Sequence, residues 1–137
     1  MSTSSLYLTD LLTGLFAALA LKHRPVLSLR QNRFDRAMAH LVRDIEQEAA
    51  KLNLKVRFRI LAHPIYQDSE AVHQALYEAA QSDLISLDNP EFQDIRLKIS
   101  SADAPRYLSH LPGTPEMYER LATRLLQYYQ DAPAPSR

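Results

Sequence analysis

The sequence predicts one α+β domain, predominantly helical, with a small three-stranded antiparallel sheet. Along most of the chain, apolar residues recur at intervals of three and four, the helical period, whereas two short segments alternate at every second residue, as strands do. The chain has 137 residues, of which 46% are hydrophobic and 23% charged, a size that suits one buried core. Helices and strands that do not strictly alternate favour the α+β class.

The first predicted helix begins at Thr9, a residue type that caps helices, and ends before Pro25. One face is apolar, and the opposite face carries small residues that would let a second helix approach closely, among them Gly14, Ala17 and, at its end, Leu21. A helix covered on both sides is either the centre of the core or part of a dimer interface. Both interpretations stay open from the sequence.

The second predicted helix is the longest element. Ser28 and Gln31 match a capping box, which predicts a helix from there to Leu52, and Asn53 suits its left-handed end. The apolar positions recur at three and four, which places one face in the core: Phe34, Met38, Leu41, Ile45, Ala49 and Leu52.

Strands are predicted by alternation in the middle of the chain. Segment 55–60 alternates, with Val56, Phe58 and Ile60 inward. A helix from Asp68 or Ser69 to Asp83 follows, and then a hairpin formed by 84–87 and 92–100 with an acidic tip. These three strands are predicted to form the sheet.

Two helices complete the predicted domain, which spans residues 1–130. The first covers about 105–111, and the second begins at Thr114-Pro115, a strong helix start. Its buried face comprises Met117, Leu121, Leu125 and Tyr128, with Tyr118 and Tyr129 at the border of that face. Residues 131–137, which read DAPAPSR, are predicted to form a disordered tail.

This order of elements distantly resembles a winged helix, in which a helix precedes a hairpin. The resemblance implies two helices between the first strand and the hairpin, whereas only 69–83 is clearly helical there. The tip 88–94 is also acidic, which makes it a poor wing for contacting phosphates. The resemblance is one of element order and carries no sequence motif.

Composition excludes several functional classes. No cysteine is present, which excludes thiolate catalysis and iron–sulfur clusters. Two glycines, at 14 and 113, are too few for a glycine-rich phosphate loop. No two of the five histidines have the spacing of a metal pair on one helix. We therefore expect a non-enzymatic protein without cofactor or metal.

An apolar run at 6–21 raises the question of a membrane span. It contains Asp10 and is shorter than the about 20 residues that cross a bilayer. We expect no span, and a cytoplasmic location is the default expectation.

Charge is distributed unevenly along the chain. Residues 1–65 hold ten basic and five acidic side chains, whereas residues 66–137 hold six and eleven. Arginines cluster at the start of the long helix, where the helix dipole disfavours cations and favours anions such as phosphate. The expected nucleic-acid-binding residues are Arg24, Arg30, Arg33, Arg36, His40 and Arg43. The competing interpretation is a solvated face paired with Asp44 or with acids of the second half.

Two further surfaces are predicted. A secondary basic face is expected from residues on the outward sides of strands: Lys55, Arg57, Arg59, Arg96 and Lys98. An oligomer interface is expected from the small-residue face of the first helix and the tyrosine-rich last helix: Gly14, Ala17, Leu21, Tyr118 and Tyr129.

Two functional hypotheses result. The first is a small regulatory or accessory protein that binds the backbone of DNA or RNA through the arginine-rich helix start. The second is a protein–protein adaptor or self-associating subunit, such as a homodimer, that uses the first and last helices.

Overall fold

Five helices and five short strands make up the residues that a computed structural model describes, 4–23, 26–28, 33–58, 70–87 and 94–131. In chain order they are β1 (Ser4–Leu6), α1 (Leu8–Leu21), β2 (Val26–Ser28), α2 (Arg33–Lys51), β3 (Leu54–Val56), α3 (Glu70–Gln81), β4 (Ile85–Ser86), β5 (Asp94–Leu97), α4 (Ala104–Ser109) and α5 (Pro115–Asp131). Helices predominate and the sheets are small, so the predicted α+β class is confirmed. The predicted tail beyond Asp131 lies outside the described residues.

Helix α1 lies at the centre of the core. Its residues from Leu11 to Ala20 are buried apart from the half-buried Thr13, and the helix packs against α3, α4 and α5. Phe16 stacks on Phe34 of α2, with the ring centroids 6.4 Å apart. A helix that is apolar on nearly all sides is stable only where neighbours cover every side, which explains the central position.

Several helix ends differ from the prediction. Helix α1 begins at Leu8, one residue before Thr9, and the carboxylate of Asp10 accepts a hydrogen bond from the Tyr7 N–H at 3.3 Å. Helix α2 begins at Arg33, whereas Ser28 belongs to β2, so the predicted start at Ser28 was wrong. Asn53 adopts the predicted left-handed conformation, with φ of 54°.

Two separate sheets replace the single predicted one. Strands β2, β5 and β4 form an antiparallel sheet in which Leu27 faces Ile95 and Ile85 faces Leu97. Strand β3 pairs instead with β1 in parallel, with Ser5 opposite Lys55. Alternation correctly predicted which side of β3 faces the core. Alternation could not reveal that β3 pairs with β1, because it shows which side chains share a face of a strand and not which other strand lies beside it.

The antiparallel sheet changes the comparison with a winged helix. Its first strand is β2, and among the described residues two helices, α2 and α3, lie between β2 and the β4–β5 pair. This matches the winged-helix order in which two helices lie between the first strand and the hairpin, although β3 also lies between the two helices. Element order alone carries no function.

Helix α5 packs across α1 and α2. It begins at Pro115 as predicted, and the Thr114 hydroxyl accepts a hydrogen bond from the Met117 N–H at 3.2 Å. The prediction for its tyrosines was wrong: Tyr118 and Tyr129 are buried, whereas Tyr128 is only half-buried. Tyr118 is enclosed because its ring fills the space left by the missing side chain of Gly14 in α1.

Candidate functional site

The site that the sequence predicted lies along α2, whose first three turns are mainly basic and whose next two are mainly acidic. Basic side chains occupy positions 33, 36, 40 and 43, with the buried acid Asp35 among them, and acidic side chains occupy positions 44, 46 and 48, with Lys51 at the end of the helix. The buried face of the helix, which includes Met38 and Ile45, packs towards the core. That packing determines which charged residues reach solvent.

The predicted nucleic-acid-binding residues differ in accessibility. His40 and Arg43 are exposed. Arg36 is half-buried, and its Nε atom is enclosed without a hydrogen-bond partner among the described residues. Arg33 is the first residue of α2, and its side chain, like Arg24 and Arg30, lies outside the described part of the structure.

Two acids of α2, Asp44 and Glu48, are bound by side chains of α5. Glu48 accepts two hydrogen bonds from Arg120, at 3.0 and 2.7 Å, and these bonds hold its pKa below the ordinary value. Asp44 accepts a hydrogen bond from the Tyr128 hydroxyl at 2.6 Å and has the Arg124 guanidinium 4.0 Å away. In the described residues Arg43 forms no ion pair. Acids of α2 thus pair with arginines of the second half, the reverse of the competing sequence interpretation.

A groove lies beside this contact on the solvent side of α2. It has a volume of about 530 Å³, and its lining includes His40, Arg43, Gln47 and Tyr128 together with the acids Asp44 and Glu46. The imidazole of His40 stacks on the ring of Tyr128, with centroids 5.6 Å apart and planes inclined by 28°. The hydrogen bond to Asp44 raises the pKa of Tyr128, so its hydroxyl remains a donor at neutral pH.

One polar contact was missed by the sequence analysis. Asp35 is 3% exposed, and its Oδ2 lies 2.8 Å from Nε2 of His73 on α3. The two residues are 38 positions apart in the chain, and neither belongs to a motif. The sequence showed only an acid in the first turn of a helix, a common and unspecific feature.

The secondary basic face is divided between two sheets. Lys55 and Arg57 are exposed at the β1–β3 pair, where Arg57 Nε donates to the Ser5 hydroxyl at 3.2 Å. Arg96 and Lys98 belong to or follow β5 in the other sheet, and Lys98 is paired with Asp83 at 3.1 Å. Arg59 lies outside the described residues. Lys55 and Arg57 thus belong to a different sheet from Arg96 and Lys98, because β3 pairs with β1 and not with β4 or β5.

The predicted oligomer interface lies mostly inside the protein. Gly14, Ala17 and Tyr118 have no exposed surface, Tyr129 is 8% exposed, and Leu21 is half-buried. The small residues of α1 do admit a second helix, as predicted, but that helix is α5 of the same chain. Gly14, Ala17, Tyr118 and Tyr129 are therefore core residues, and the prediction of an interface at these four positions was wrong.

Metal and membrane sites were sought in the same described ranges. No group of three or more histidine, aspartate and glutamate residues there is arranged to hold a metal ion. No helix among these residues is long and apolar enough to cross a membrane.

The chain was compared with three groups of known proteins. Protein-family models, curated proteins and solved structures all give no match to this chain.

Proposed function

We propose that the protein is a small, non-enzymatic regulatory or accessory protein of the cytoplasm that binds the backbone of nucleic acids through the basic half of α2. The contact residues are His40 and Arg43, with Arg33 and Arg36 in the preceding turns. Arg24 and Arg30, which precede α2 in the sequence, extend the same basic segment.

The proposal rests on the way side chains of α5 bind two acids of α2, Asp44 and Glu48, and leave Arg43 unpaired among the described residues. Of the acids that follow the basic half on α2, Asp44 and Glu48 are engaged by side chains of α5, and Glu46, three residues after Arg43, is exposed. Arg43 is itself exposed and forms no ion pair among the described residues. An exposed guanidinium of this kind can neutralise a phosphate and release its condensed counterions, which makes the binding salt-dependent.

Helix α3 is a poor alternative for contacting phosphates, although it occupies the position before the β4–β5 pair. Its sequence, EAVHQALYEAAQ, contains neither lysine nor arginine. A winged-helix mode, in which the helix before the hairpin enters a groove of the duplex, would place two glutamates beside the phosphates. The charge distribution thus favours α2.

The test is a fluorescence-anisotropy titration with labelled single- and double-stranded oligonucleotides at about 50 and about 200 mM salt. We expect binding at the lower salt that weakens steeply at the higher salt. Reversing the charge of two α2 residues, Arg33→Glu with Arg43→Glu, should abolish it. We choose Arg43 because Arg36 is half-buried, and reversal there would also disturb packing.

Arg106→Glu provides the matched control, since Arg106 is an exposed arginine on α4 with a side chain 70% accessible. This variant should bind like the wild type. Absence of binding at low salt, or a double variant with unchanged affinity and salt dependence, would overturn the proposal. Circular dichroism of each variant separates loss of binding from loss of folding.

A further inference from the structure

The ring pair on α2 and α5 identifies the form of nucleic acid that this site suits. We propose that the exposed imidazole of His40, supported by Tyr128, is a stacking platform for an unpaired base, so that the ligand is single-stranded nucleic acid. This inference rests on the proposed function and specifies its ligand.

The geometry of the pair leaves His40 available. One side of the imidazole is covered by the Tyr128 ring at 5.6 Å, and His40 is an exposed residue that lines the groove. Flat rings presented in this way attract bases of any sequence, because every base has a π face. A base in a duplex is already stacked on its neighbours and cannot use the platform without being unstacked.

Tyr128 is held in place by a second contact on the same helix. Its hydroxyl donates to Asp44 at 2.6 Å, and Asp44 lies one helical turn beyond His40. Tyr128 therefore contacts α2 at two successive turns, once through its ring and once through its hydroxyl. A platform ordered before binding loses less conformational entropy when the ligand arrives.

Arg43 completes the site. It lies three residues after His40, and side chains at that spacing are neighbours on a helix surface, with Cβ atoms about 5–6 Å apart. A base on His40 and a phosphate of the same strand can thus be bound together. The groove of about 530 Å³ at these two residues also contains Gln47, whose amide can donate and accept hydrogen bonds.

The experiment compares three probes of equal length at one salt concentration: an oligothymidylate strand, an abasic strand with the same backbone, and a duplex. If bases stack on His40, the oligothymidylate should bind about tenfold more tightly than the abasic strand. His40→Ala should remove this difference while leaving the weaker backbone binding, and His40→Phe should restore it. Nuclear magnetic resonance should show an upfield shift of the His40 ring protons with oligothymidylate only.

Tyr77→Ala is the matched control, because Tyr77 is an exposed aromatic residue on α3, 55% accessible and separate from the groove. It should leave the preference unchanged. Tyr128→Phe keeps the supporting ring and removes its bond to Asp44, so it should reduce the preference without abolishing it. Should His40→Ala unfold the protein, the resonance shift in the wild type still decides the question.

The possible failures are distinguishable. Equal affinity of the wild type for the abasic strand and oligothymidylate would overturn the stacking platform while leaving backbone binding in place. A preference for oligothymidylate that survives His40→Ala in a folded protein would also overturn it. Binding of none of the three probes at low salt would overturn the proposed function itself.

Discussion

The ring of Tyr118 on α5 lies directly against the backbone of Gly14 on α1. A β-carbon at residue 14 would fall 2.7 Å from Cγ of Tyr118 and closer still to the Cδ1 and Cε1 atoms of the ring. The Tyr118 hydroxyl donates to the Pro112 carbonyl at 2.5 Å, which fixes the ring from its other end. The two residues thus set the separation of the two central helices.

Gly14→Ala should destabilise the protein, although alanine favours a helix over glycine by about 1 kcal/mol. The new methyl group overlaps a ring that is tethered at its hydroxyl, and overpacking a core costs roughly 1–3 kcal/mol. Urea unfolding followed by circular dichroism measures the change. In a Tyr118→Leu background, the same substitution should cost less, because the overlapping ring is gone. An equal cost in both backgrounds would contradict the proposed contact.

Tyr118→Phe should lower the free energy of unfolding by about 1 kcal/mol at neutral pH, the usual value of one hydrogen bond. Burial raises the pKa of Tyr118 above its ordinary value. A folded-state pKa above the unfolded one means that this stabilisation is complete below the ordinary value of about 10 and is lost as the pH rises through the folded pKa. The difference between wild type and variant should therefore shrink at alkaline pH.

Ultraviolet titration of the tyrosines provides an independent check of the same residue. In wild type, the raised pKa of Tyr118 should produce a late step in the titration. Tyr118→Phe should remove this late step, and Tyr77→Phe, the matched control, should leave it in place. A Tyr118→Phe variant with an unchanged late phase would show that the hydroxyl is accessible.

His73→Leu should lower the free energy of unfolding more than is usual for a substitution at a partly exposed position. The His73 side chain is 45% accessible, but it contacts the buried Asp35 carboxylate at 2.8 Å. Removal of a partner from a buried polar group costs about 1–3 kcal/mol. In an Asp35→Ala background, His73→Leu should cost much less, and thermal unfolding of the four proteins measures this coupling. Additive effects would show that the contact contributes nothing to stability.

Glu48→Gln should destabilise the protein at neutral pH and progressively less in acid. The bonds from Arg120 lower the pKa of Glu48 below its ordinary value of 4.5. The stabilisation by the carboxylate is therefore fully present above the ordinary value and is lost as the pH falls through the lower, folded-state pKa. Urea midpoints at about pH 7 and about pH 3 should reveal a larger difference at the first than at the second.

Glu119→Gln is the control for that measurement. Glu119 is an exposed acid on α5, the helix that carries Arg120, and it is the residue next to Arg120. It should change the midpoint little at either pH. A pH-independent effect of Glu48→Gln would show that the substitution acts through packing and not through the ion pair.

Helix α2 shows how much of the fold local sequence can predict. Five of its buried residues, Phe34, Met38, Leu41, Ile45 and Ala49, were identified from spacing, because a helix that packs on one side repeats its apolar residues along that side; the buried Asp35 and Ala37 were not. The predicted start of α2 was wrong. Ser28 and Gln31 match a capping pattern, but Ser28 belongs to the three-residue strand Val26–Ser28 and does not cap the helix. A strand this short is too brief to show alternation.

The candidate site was predictable only in part. Arg43 and His40 follow from the basic stripe on one helix, which is a local pattern. The stacking of His40 on Tyr128, 88 positions later, depends on how α5 crosses α2. Tyr128 itself was assigned to the buried face, and its actual place at the edge of that face is what brings its hydroxyl to Asp44.

The sequence by itself determined the class of fold, the inward faces of α2 and α3 and the uneven charge along α2, because each depends on residues that are close in the chain. Tertiary packing decided which strands pair, which arginines remain unneutralised and that the small-residue face of α1 is covered by α5. The reason is physical: pairing and neutralisation depend on distances between side chains far apart in sequence, which only the folded chain brings to hydrogen-bond range.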